Sequence, residues 1–318
     1  MKWKFTYLCF CFSLLGVHSL AKAQIGGAPG AFARMGFNAR GIAMGNALTA
    51  VHHGNLQTYY NPALATFAEE RTASASFGIL SLDRYLNFLN YIQSAKPTAG
   101  LSIGLINSGV RHIDGRDNDG VHTEDYSTSE NQFFLSFANR FDERISLGVT
   151  IKLYYYELFT QVTSTTVGFD LGALILLTEK LSLGFAVQDI GSKYKWDTTP
   201  VYGQNGTQIT DKFPTLFRGG LAYDLPESYG IVSLELEVSS EKTTVVRLGT
   251  EISVHENVRL RGGLDQWNLR DNTAGTKPSL GFGVYKSFEE WTPVLDYAYV
   301  FEPFSPSGIH IVTLSVRF

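Results

Sequence analysis

The sequence predicts an all-β fold, a 14-stranded antiparallel barrel that spans a membrane. Three observations support this prediction. The first 23 residues have the pattern of a secretory signal, and the chain from about residue 70 alternates apolar and polar residues in fourteen segments. The connections between these segments are also sorted, with short and long ones in turn.

Residues 1–23 have the three parts of a secretory signal peptide. A positively charged start precedes an apolar run over 5–15, and a small-x-small cleavage motif occupies 21–23. The alternative, a membrane anchor, is disfavoured because the apolar run is too short to span a bilayer. Both cysteines, Cys9 and Cys11, would leave with the signal. A mature chain without cysteine excludes a disulfide framework, a cysteine nucleophile and a thiolate metal site.

The composition of the remaining chain limits the classes of protein to which it can belong. Three lysines and no acid lie in 1–23, so the segment 24–318 carries 23 basic and 30 acidic residues, a net charge of −7. This balance argues against a nucleic-acid partner. No later stretch approaches eighteen consecutive apolar residues, so no transmembrane helix is predicted. With 16 Tyr and 22 Phe in the full sequence, the composition suits either a membrane barrel or a soluble periplasmic β-protein.

Periodicity favours the barrel. The clearest segment, 145–154, places Ile, Leu, Val, Ile and Leu on one face and Ser, Gly, Thr, Lys and Tyr on the other. Alternation over about ten residues is typical of strands that cross an outer membrane. The fourteen predicted strands lie near 71–80, 84–92, 98–106, 131–139, 145–156, 167–177, 180–188, 215–223, 231–239, 244–252, 257–265, 279–287, 292–300 and 309–318.

The connections supply an independent argument. Every second connection is short: 93–97, 140–144, 178–179, 224–230, 253–256 and 288–291. The other set contains all the long ones, which are 107–130, 157–166, 189–214, 266–278 and 301–308. Outer-membrane barrels have short periplasmic turns and longer extracellular loops, so both termini are expected in the periplasm. A soluble sandwich has no reason to sort its connections in this way. The terminal Phe318, which closes an alternating strand, resembles the C-terminal signature of bacterial outer-membrane proteins.

Two motifs near the N-terminus carry a family resemblance. Residues 38–45 read Asn-Ala-Arg-Gly-Ile-Ala-Met-Gly, and 60–63 read Tyr-Asn-Pro-Ala. Without a comparison this stretch would be a glycine-rich arm that ends in an ordinary turn. The two motifs are similar to the N-terminal signature of the PorV/PorQ family, which is related to FadL-like long-chain fatty-acid transporters. The resemblance implies that 24–69 form a short plug inside a 14-stranded outer-membrane barrel made by 70–318.

The charged faces of the strands are predicted to line the lumen, because lipid cannot solvate a charge. The candidates are Lys152, Arg218, Glu235, Glu237, Arg247, Glu251, Arg259, Arg261, Asp265, Asp296 and Arg317. Glu251 is expected opposite Arg259 across one turn, and Glu235 opposite Arg247 across another. The favoured interpretation is a structural network that stiffens a narrow barrel, because charges of both signs are interleaved. The alternative is a conduit for a polar or amphipathic solute.

Four residues of the predicted plug are singled out as structural or gating candidates: Arg40, Met44, Asn61 and Pro62. Arg40 is the charged residue of the stretch between Met35 and Val51. A charge inside the lumen needs a partner, so Arg40 is expected to pair with a lumen acid. Tethering the plug is the favoured role, and gating of a substrate is the alternative.

No enzymatic, cofactor or metal chemistry is predicted. The stretch 107–130 includes Asp114, Asp117, Asp119, Glu124 and Asp125, and oxygen ligands suit calcium, but their spacing departs from the EF-hand, so a solvated acidic loop is favoured. No serine-nucleophile motif, His-Glu-x-x-His helix or phosphate-binding glycine loop accompanies the histidines. Lipid hydrolases embedded in barrels exist, yet no residue pattern here points to one.

Two functions remain open at this point. The resemblance implies an outer-membrane component or cargo-handling partner of type IX protein secretion in a Gram-negative bacterium. Its partners would be outer-membrane lipid, secreted cargo and other secretion-system proteins. The alternative is a FadL-like channel for the uptake of hydrophobic small molecules. The charged lumen argues mildly against the alternative, because such a route needs an apolar path.

Overall fold

The structure is a computed structural model that describes residues 27–159, 161–268 and 275–318. The predicted signal peptide and the first residues of the predicted plug therefore lie outside the described residues. No helix within the described part of the chain is long and apolar enough to cross a membrane. Fourteen strands close into one antiparallel barrel in which the first strand pairs with the last. The predicted fold class is confirmed.

The strands follow chain order around the barrel, except that β8 and β9 form a separate two-stranded hairpin between β7 and β10. Their bounds are β1 (Thr72–Ile79), β2 (Arg84–Ala95), β3 (Ala99–Arg116), β4 (His122–Asp142), β5 (Ile145–Phe159), β6 (Val162–Leu176), β7 (Leu181–Ile190), β8 (Lys193–Asp197), β9 (Gln208–Lys212), β10 (Leu216–Asp224), β11 (Gly230–Ser239), β12 (Thr244–His255), β13 (Val258–Asn268), β14 (Lys277–Tyr285), β15 (Thr292–Val300) and β16 (Ile309–Arg317).

The prediction of a 24-residue loop at 107–130 is wrong. β3 and β4 continue to pair well beyond the predicted strand ends and leave only 117–121 as the connection. The projecting parts carry polar residues on both faces, for example Asn107, Ser108 and Glu130. A strand that extends beyond the bilayer needs no apolar face, so its alternation is lost in the sequence. For the same reason β5 and β6 occupy most of the predicted loop at 157–166.

The two faces of the barrel follow the predicted alternation. On β5, Leu147 and Val149 point outwards and are 46% and 37% exposed, whereas Thr150 and Lys152 point inwards and are buried. An apolar outer face and a polar inner face are what a barrel surrounded by lipid requires. The two barrel ends differ as well. We call the end with the turns at 96–98, 143–144, 177–180 and 256–257 the short-turn end, and the opposite end the mouth.

Residues 27–69 fill the lumen and are called the plug below. The plug contains three short helical segments, two of them 3-10 helices (Ala31–Arg34 and Pro62–Phe67) and one a single turn of α-helix (Ala39–Ala43). Asparagine starts the second and third of these in sequence: the side chain of Asn38 accepts from the backbone N–H of Arg40, and that of Asn61 from Ala63. Asparagine is a favoured N-cap, and proline fits the first helical position. The Asn-Ala-Arg and Asn-Pro-Ala motifs are therefore helix starts.

Glycines let the plug backbone touch the barrel wall. A Cβ atom on Gly263 of β13 would lie 2.1 Å from the backbone nitrogen of Gly45, and one on Gly148 of β5 would lie 2.5 Å from the carbonyl carbon of Pro62. Neither position has room for a side chain. The core of the molecule is consequently the interface between plug and wall, in which Phe37, Met44, Tyr60 and other plug residues are almost completely buried.

Candidate functional site

Arg40 is the centre of the contact between plug and barrel. It is 2% exposed, and its guanidinium makes a two-pronged ion pair with Glu251 of β12. Nε lies 2.9 Å from Oε2 and Nη2 lies 2.9 Å from Oε1. Nη1 donates to the backbone carbonyls of His53 and Asn55 at 2.8 and 3.1 Å. Planar two-pronged pairing is the geometry that arginine provides and lysine does not, so this residue joins three segments at once.

The ion pair continues into the barrel wall. Arg261 of β13 donates from Nε to Glu251 Oε2 and from Nη1 to Asp296 Oδ1, both at 2.6 Å. The predicted pairing of Glu251 with Arg259 is wrong. The turn between β12 and β13 is shorter than predicted, and the register shifts between Ser253 and His255. As a result Glu251 lies opposite Arg261, and Ser253 lies opposite Arg259. The guanidinium of Arg259 instead donates to the carbonyl of His255 at the short-turn end.

A second network crosses strands β10 to β13. Arg247 contacts Glu235, Glu237 and Asp265 at 3.2, 3.0 and 2.6 Å, and Arg218 contacts Glu237 at 2.7 Å. Glu235 and Arg247 are direct cross-strand partners.

The plug is bonded to this second network at two points. The side-chain amide of Asn46 donates to Asp265 at 2.8 Å, and the backbone N–H of Thr49 donates to Glu235 at 3.1 Å. The acids of the wall therefore serve two partners, an arginine of the barrel and a polar group of the plug.

A third group of charged residues is centred on Lys152, and the sequence predicts only part of it. Lys152 lies 2.8 Å from both Asp170 and Asp189, and the hydroxyl of Tyr154 donates to Asp189 at 2.6 Å. Asp170 occupies an inward position of β6 and could have been found from the alternation. Asp189 sits at an irregularity between β6 and β7 with a φ of 61°. Such a bulge breaks the period-2 pattern on which the sequence argument depends.

The other singled-out plug residues also contact the wall. The side-chain amide of Asn61 donates to the carbonyls of Thr49 and Ala173, both at 2.9 Å. Pro62 packs against Gly148 and Gly172, and the Met44 carbonyl against Gly249. Buried ion pairs add little net stability, but breaking one leaves a costly unpaired charge. These contacts therefore fix the position of the plug against the wall of the barrel.

The β8–β9 hairpin covers one half of the mouth. The ring of Trp196 contacts Tyr156 of β5 with centroids 5.2 Å apart, and Tyr194 donates to Glu130 at 2.9 Å. The backbone N–H of Lys195 donates to Ser164 of β6. The sequence predicts only a long connection at 189–214 and not this hairpin. Its burial of two large aromatic residues over β5 and β6 makes it a cap on that side of the barrel.

The acidic stretch projects from the rim of the mouth. Asp114 is exposed and contacts both Arg116, at 2.5 Å, and His122, at 2.8 Å. The hydrogen bond from His122, together with Arg116, lowers the pKa of Asp114, and the same bond raises the pKa of His122. Among the residues that the structure describes, the acids of this stretch do not converge as a cation site.

The other half of the mouth holds a pocket of about 260 Å³ between the plug and the wall, which we call the mouth pocket. Its apolar part comes from both sides of that boundary and comprises Ala31, Met35, Ile42, Leu86, Val300, Ile309 and Ile311. Its polar part comprises Arg34, Asn46, Arg84, Asp265, Gln266, Lys277, Ser279 and Glu302. An apolar lining with a few converging polar groups is typical of sites for small ligands. Sequence reasoning missed this pocket, because seven segments of the chain build it.

Comparisons with known proteins give structural likeness and no sequence match. No family model matches the chain, and no curated protein matches it. The toluene transporter TodX of Pseudomonas putida is 13% identical, with a TM-score of 0.62, over 89% of this chain and 97% of that one. A FadL homologue of Pseudomonas aeruginosa is 12% identical, with a TM-score of 0.57, over 88% and 98%. A TodX variant titled a monoaromatic hydrocarbon channel has a TM-score of 0.60 at 14% identity, over 89% and 98%. The chain therefore has the fold of the FadL-type outer-membrane barrels.

Proposed function

We propose that this protein is an outer-membrane channel of a Gram-negative bacterium that takes up small hydrophobic or amphipathic molecules. Its mouth pocket would be the first binding site, and both termini would face the periplasm. The observation that carries the proposal is the mouth pocket itself, which opens on the side of the barrel that the β8–β9 hairpin leaves uncovered. The likeness to TodX and to the FadL homologue supports the same class of function.

The size and lining of the mouth pocket suit a small ligand. A cavity of about 150 Å³ lined by apolar side chains is enough for a benzene ring, and this pocket measures about 260 Å³. Ile42, Val300 and Ile311 would contact the apolar part of a ligand. The ion pair between Lys277 and Glu302, 2.7 Å long, would lie beside any polar substituent. A single aromatic ring or a short aliphatic chain with one polar end fits this description.

Binding in the mouth pocket would act on the plug. Asn46 and Asp265 both line the pocket, and their 2.8 Å hydrogen bond is one of the contacts that hold the plug to the wall. Ile42 lies on the same single helical turn as Arg40. A molecule that enters the pocket therefore touches the residues that keep the lumen closed. Its passage requires a shift of the plug, because the axis of the lumen is filled.

A second candidate function is the one implied by the N-terminal motifs, a PorV/PorQ-like partner in type IX protein secretion. The observation in its favour is the firm attachment of the plug at Arg40, whose guanidinium bonds to Glu251 of the wall and to the carbonyls of His53 and Asn55. On this account the plug is a permanent seal. The exposed hairpin formed by the projecting ends of β3 and β4 would then contact secreted cargo or other secretion proteins.

The two functions are separated by uptake and secretion assays on one set of strains. A deletion strain would receive the wild type, Ile309→Trp, which fills the mouth pocket, or Val312→Trp, which faces outwards on the same strand. Uptake of radiolabelled toluene and octanoate should fall several-fold with Ile309→Trp and stay unchanged with Val312→Trp. The proteins released into the medium should not differ. Normal uptake in the deletion strain together with lost secretion would overturn the channel and favour the second candidate.

A further inference from the structure

Three potential metal ligands meet at the short-turn end of the barrel. They are His52 and His53 of the plug and Asp224 at the end of β10, and their ligand atoms all lie within 4.8 Å of one another. The Nε2 atom of His53 lies 3.2 Å from Oδ2 of Asp224, and the rings of His52 and His53 have centroids 3.8 Å apart. The three residues come from the plug and from the wall, so the group exists only when the plug is in place.

We propose that His52, His53 and Asp224 bind a divalent transition-metal ion of the zinc type, which fastens the plug to β10. Zinc takes imidazole nitrogens at about 2.0–2.1 Å and carboxylate oxygens at about 2.0–2.2 Å, with four ligands in a tetrahedron. Neighbouring ligand atoms in such a site are about 3.4 Å apart. The pair of His53 and Asp224 already has this spacing. The side chain of His53 is 46% exposed and has room to turn towards the ion.

The chemistry of the ligands selects the metal. Calcium and magnesium take oxygen ligands, of which this group offers a single carboxylate. Two imidazoles and one carboxylate are a donor set suited to zinc, and also to copper or nickel. The fourth position would face a cavity of about 470 Å³ that is lined by His53, Asp224 and Lys180 among others. Water or an external ligand can therefore complete the coordination.

The backbone that carries the two histidines is held in position before any ion arrives. Arg40 donates to the carbonyls of His53 and Asn55 at 2.8 and 3.1 Å. Gly54 has a φ of 79° and packs against the same guanidinium, where a Cβ atom would lie 2.9 Å from Cζ. Ser182 of β7 donates to the carbonyl of Ala50 at 2.8 Å. A prearranged backbone lowers the entropic cost of binding.

The sequence contains no motif for such a site. Two adjacent histidines lack the i, i+4 spacing of helical zinc ligands, and the third ligand comes from a distant strand. The prediction that no residue binds metal rested on motifs alone. The closed barrel brings Asp224 to the plug, and the sequence does not encode that approach locally.

The experiment is a zinc titration of purified, tag-free protein in lipid nanodiscs. We expect one zinc ion per chain with micromolar or tighter affinity, and little binding of calcium. His53→Gln and Asp224→Asn should each weaken zinc binding by about 10- to 100-fold, the loss typical even of residues that only orient a metal ligand. His255→Gln is the matched control, since His255 is an exposed histidine at the same end of the barrel. Both test residues are partly exposed, so these variants should fold. Equal losses in the control, or no loss in the test variants, would overturn the site.

The fastening role has a separate readout. Amide hydrogen exchange over 48–56 should slow when zinc is added to the wild type, and should not change in Asp224→Asn. Zinc binding without slower exchange would overturn the fastening role and leave a metal site alone. The site does not depend on the proposed function, because neither outcome involves the mouth pocket or uptake.

Discussion

Arg40 of the plug and Glu251 of the wall form a two-pronged ion pair with both N–O distances at 2.9 Å, and both side chains are buried. Glu251 also accepts from Arg261. The same carboxylate thus joins the plug to the wall and one strand to the next. Within the barrel Glu251 is the shared partner of two arginines, and its loss would leave Arg40 without an acid and Arg261 with Asp296 alone.

Removal of Glu251 should therefore cost more than removal of Arg40. Glu251→Ala leaves two buried arginines without their shared acid, and we expect a loss of about 3–5 kcal/mol in the free energy of unfolding. Arg40→Ala leaves Glu251 paired with Arg261 and should be milder. Arg259→Ala, at the same end but outside the network, is the control and should change little. Urea unfolding in nanodiscs measures all three. Equal costs for Glu251→Ala and Arg259→Ala would contradict the register observed here.

The contact between Gly45 and Gly263 predicts a sharp difference between neighbouring glycines. Gly263→Val would place a side chain against the plug backbone, whereas Gly262→Val meets only ordinary contacts with Thr250 and Leu280. Overpacking of this kind costs about 1–3 kcal/mol. Gly263→Val should displace the plug and make cells sensitive to small polar antibiotics. A similar sensitivity in cells with Gly262→Val would show that the plug is not held by this contact.

The cap over β5 and β6 should depend on Trp196. This side chain is 8% exposed, and its indole N–H donates to Asp211. Trp196→Ala should speed amide exchange throughout Lys193–Asp197 and Gln208–Lys212, since a large aromatic contact is lost. Tyr202→Ala on the same connection is the control, because Tyr202 is 65% exposed. Unchanged exchange in Trp196→Ala would mean that the hairpin is held by other contacts.

The outer face offers a test of burial in lipid. Val149 is 37% exposed and points outwards, so Val149→Arg should cost about 2–4 kcal/mol and impair insertion. Thr150 is buried and shares a 2.7 Å hydrogen bond with Ser136. Thr150→Val should cost about 1 kcal/mol through that bond. Heat-modifiable gel mobility after expression measures insertion. Insertion of Val149→Arg at the wild-type level would contradict the orientation of β5.

The sequence was sufficient for the barrel because the period of two is a local property. Fourteen strands, their order and the inward position of residues such as Glu235 and Arg247 follow from alternation and turn length. The pairing of Glu251 with Arg261 did not follow, because the turn lies at 256–257 and not at 253–256, and a register shift separates Ser253 from His255. Alternation did not predict the extended ends of β3 and β4, because polar residues occupy both faces of the strands there.

The candidate sites were less accessible to sequence reasoning for a different reason. The mouth pocket combines plug residues such as Ile42 with Val300 and Ile311 from two strands near the end of the chain. Its existence depends on how the plug lies against the wall, which is set by the contacts of Gly45 and Arg40. No local pattern reports such an arrangement. The two acids that pair with Lys152 illustrate the difference. The alternation of β6 predicts the inward position of Asp170, whereas Asp189 lies in a bulge where the alternation fails.

The most direct test of the account is the location of a bound small molecule. Crystals of the protein would be soaked with 4-bromotoluene, and the bromine would be located by its anomalous signal. The account predicts a peak in the mouth pocket, among Ile42, Val300 and Ile311, and its loss in Ile309→Trp but not in Val312→Trp. A peak confined to the lipid-facing surface, or an equal peak in Ile309→Trp, would contradict the proposal that the mouth pocket receives hydrophobic molecules.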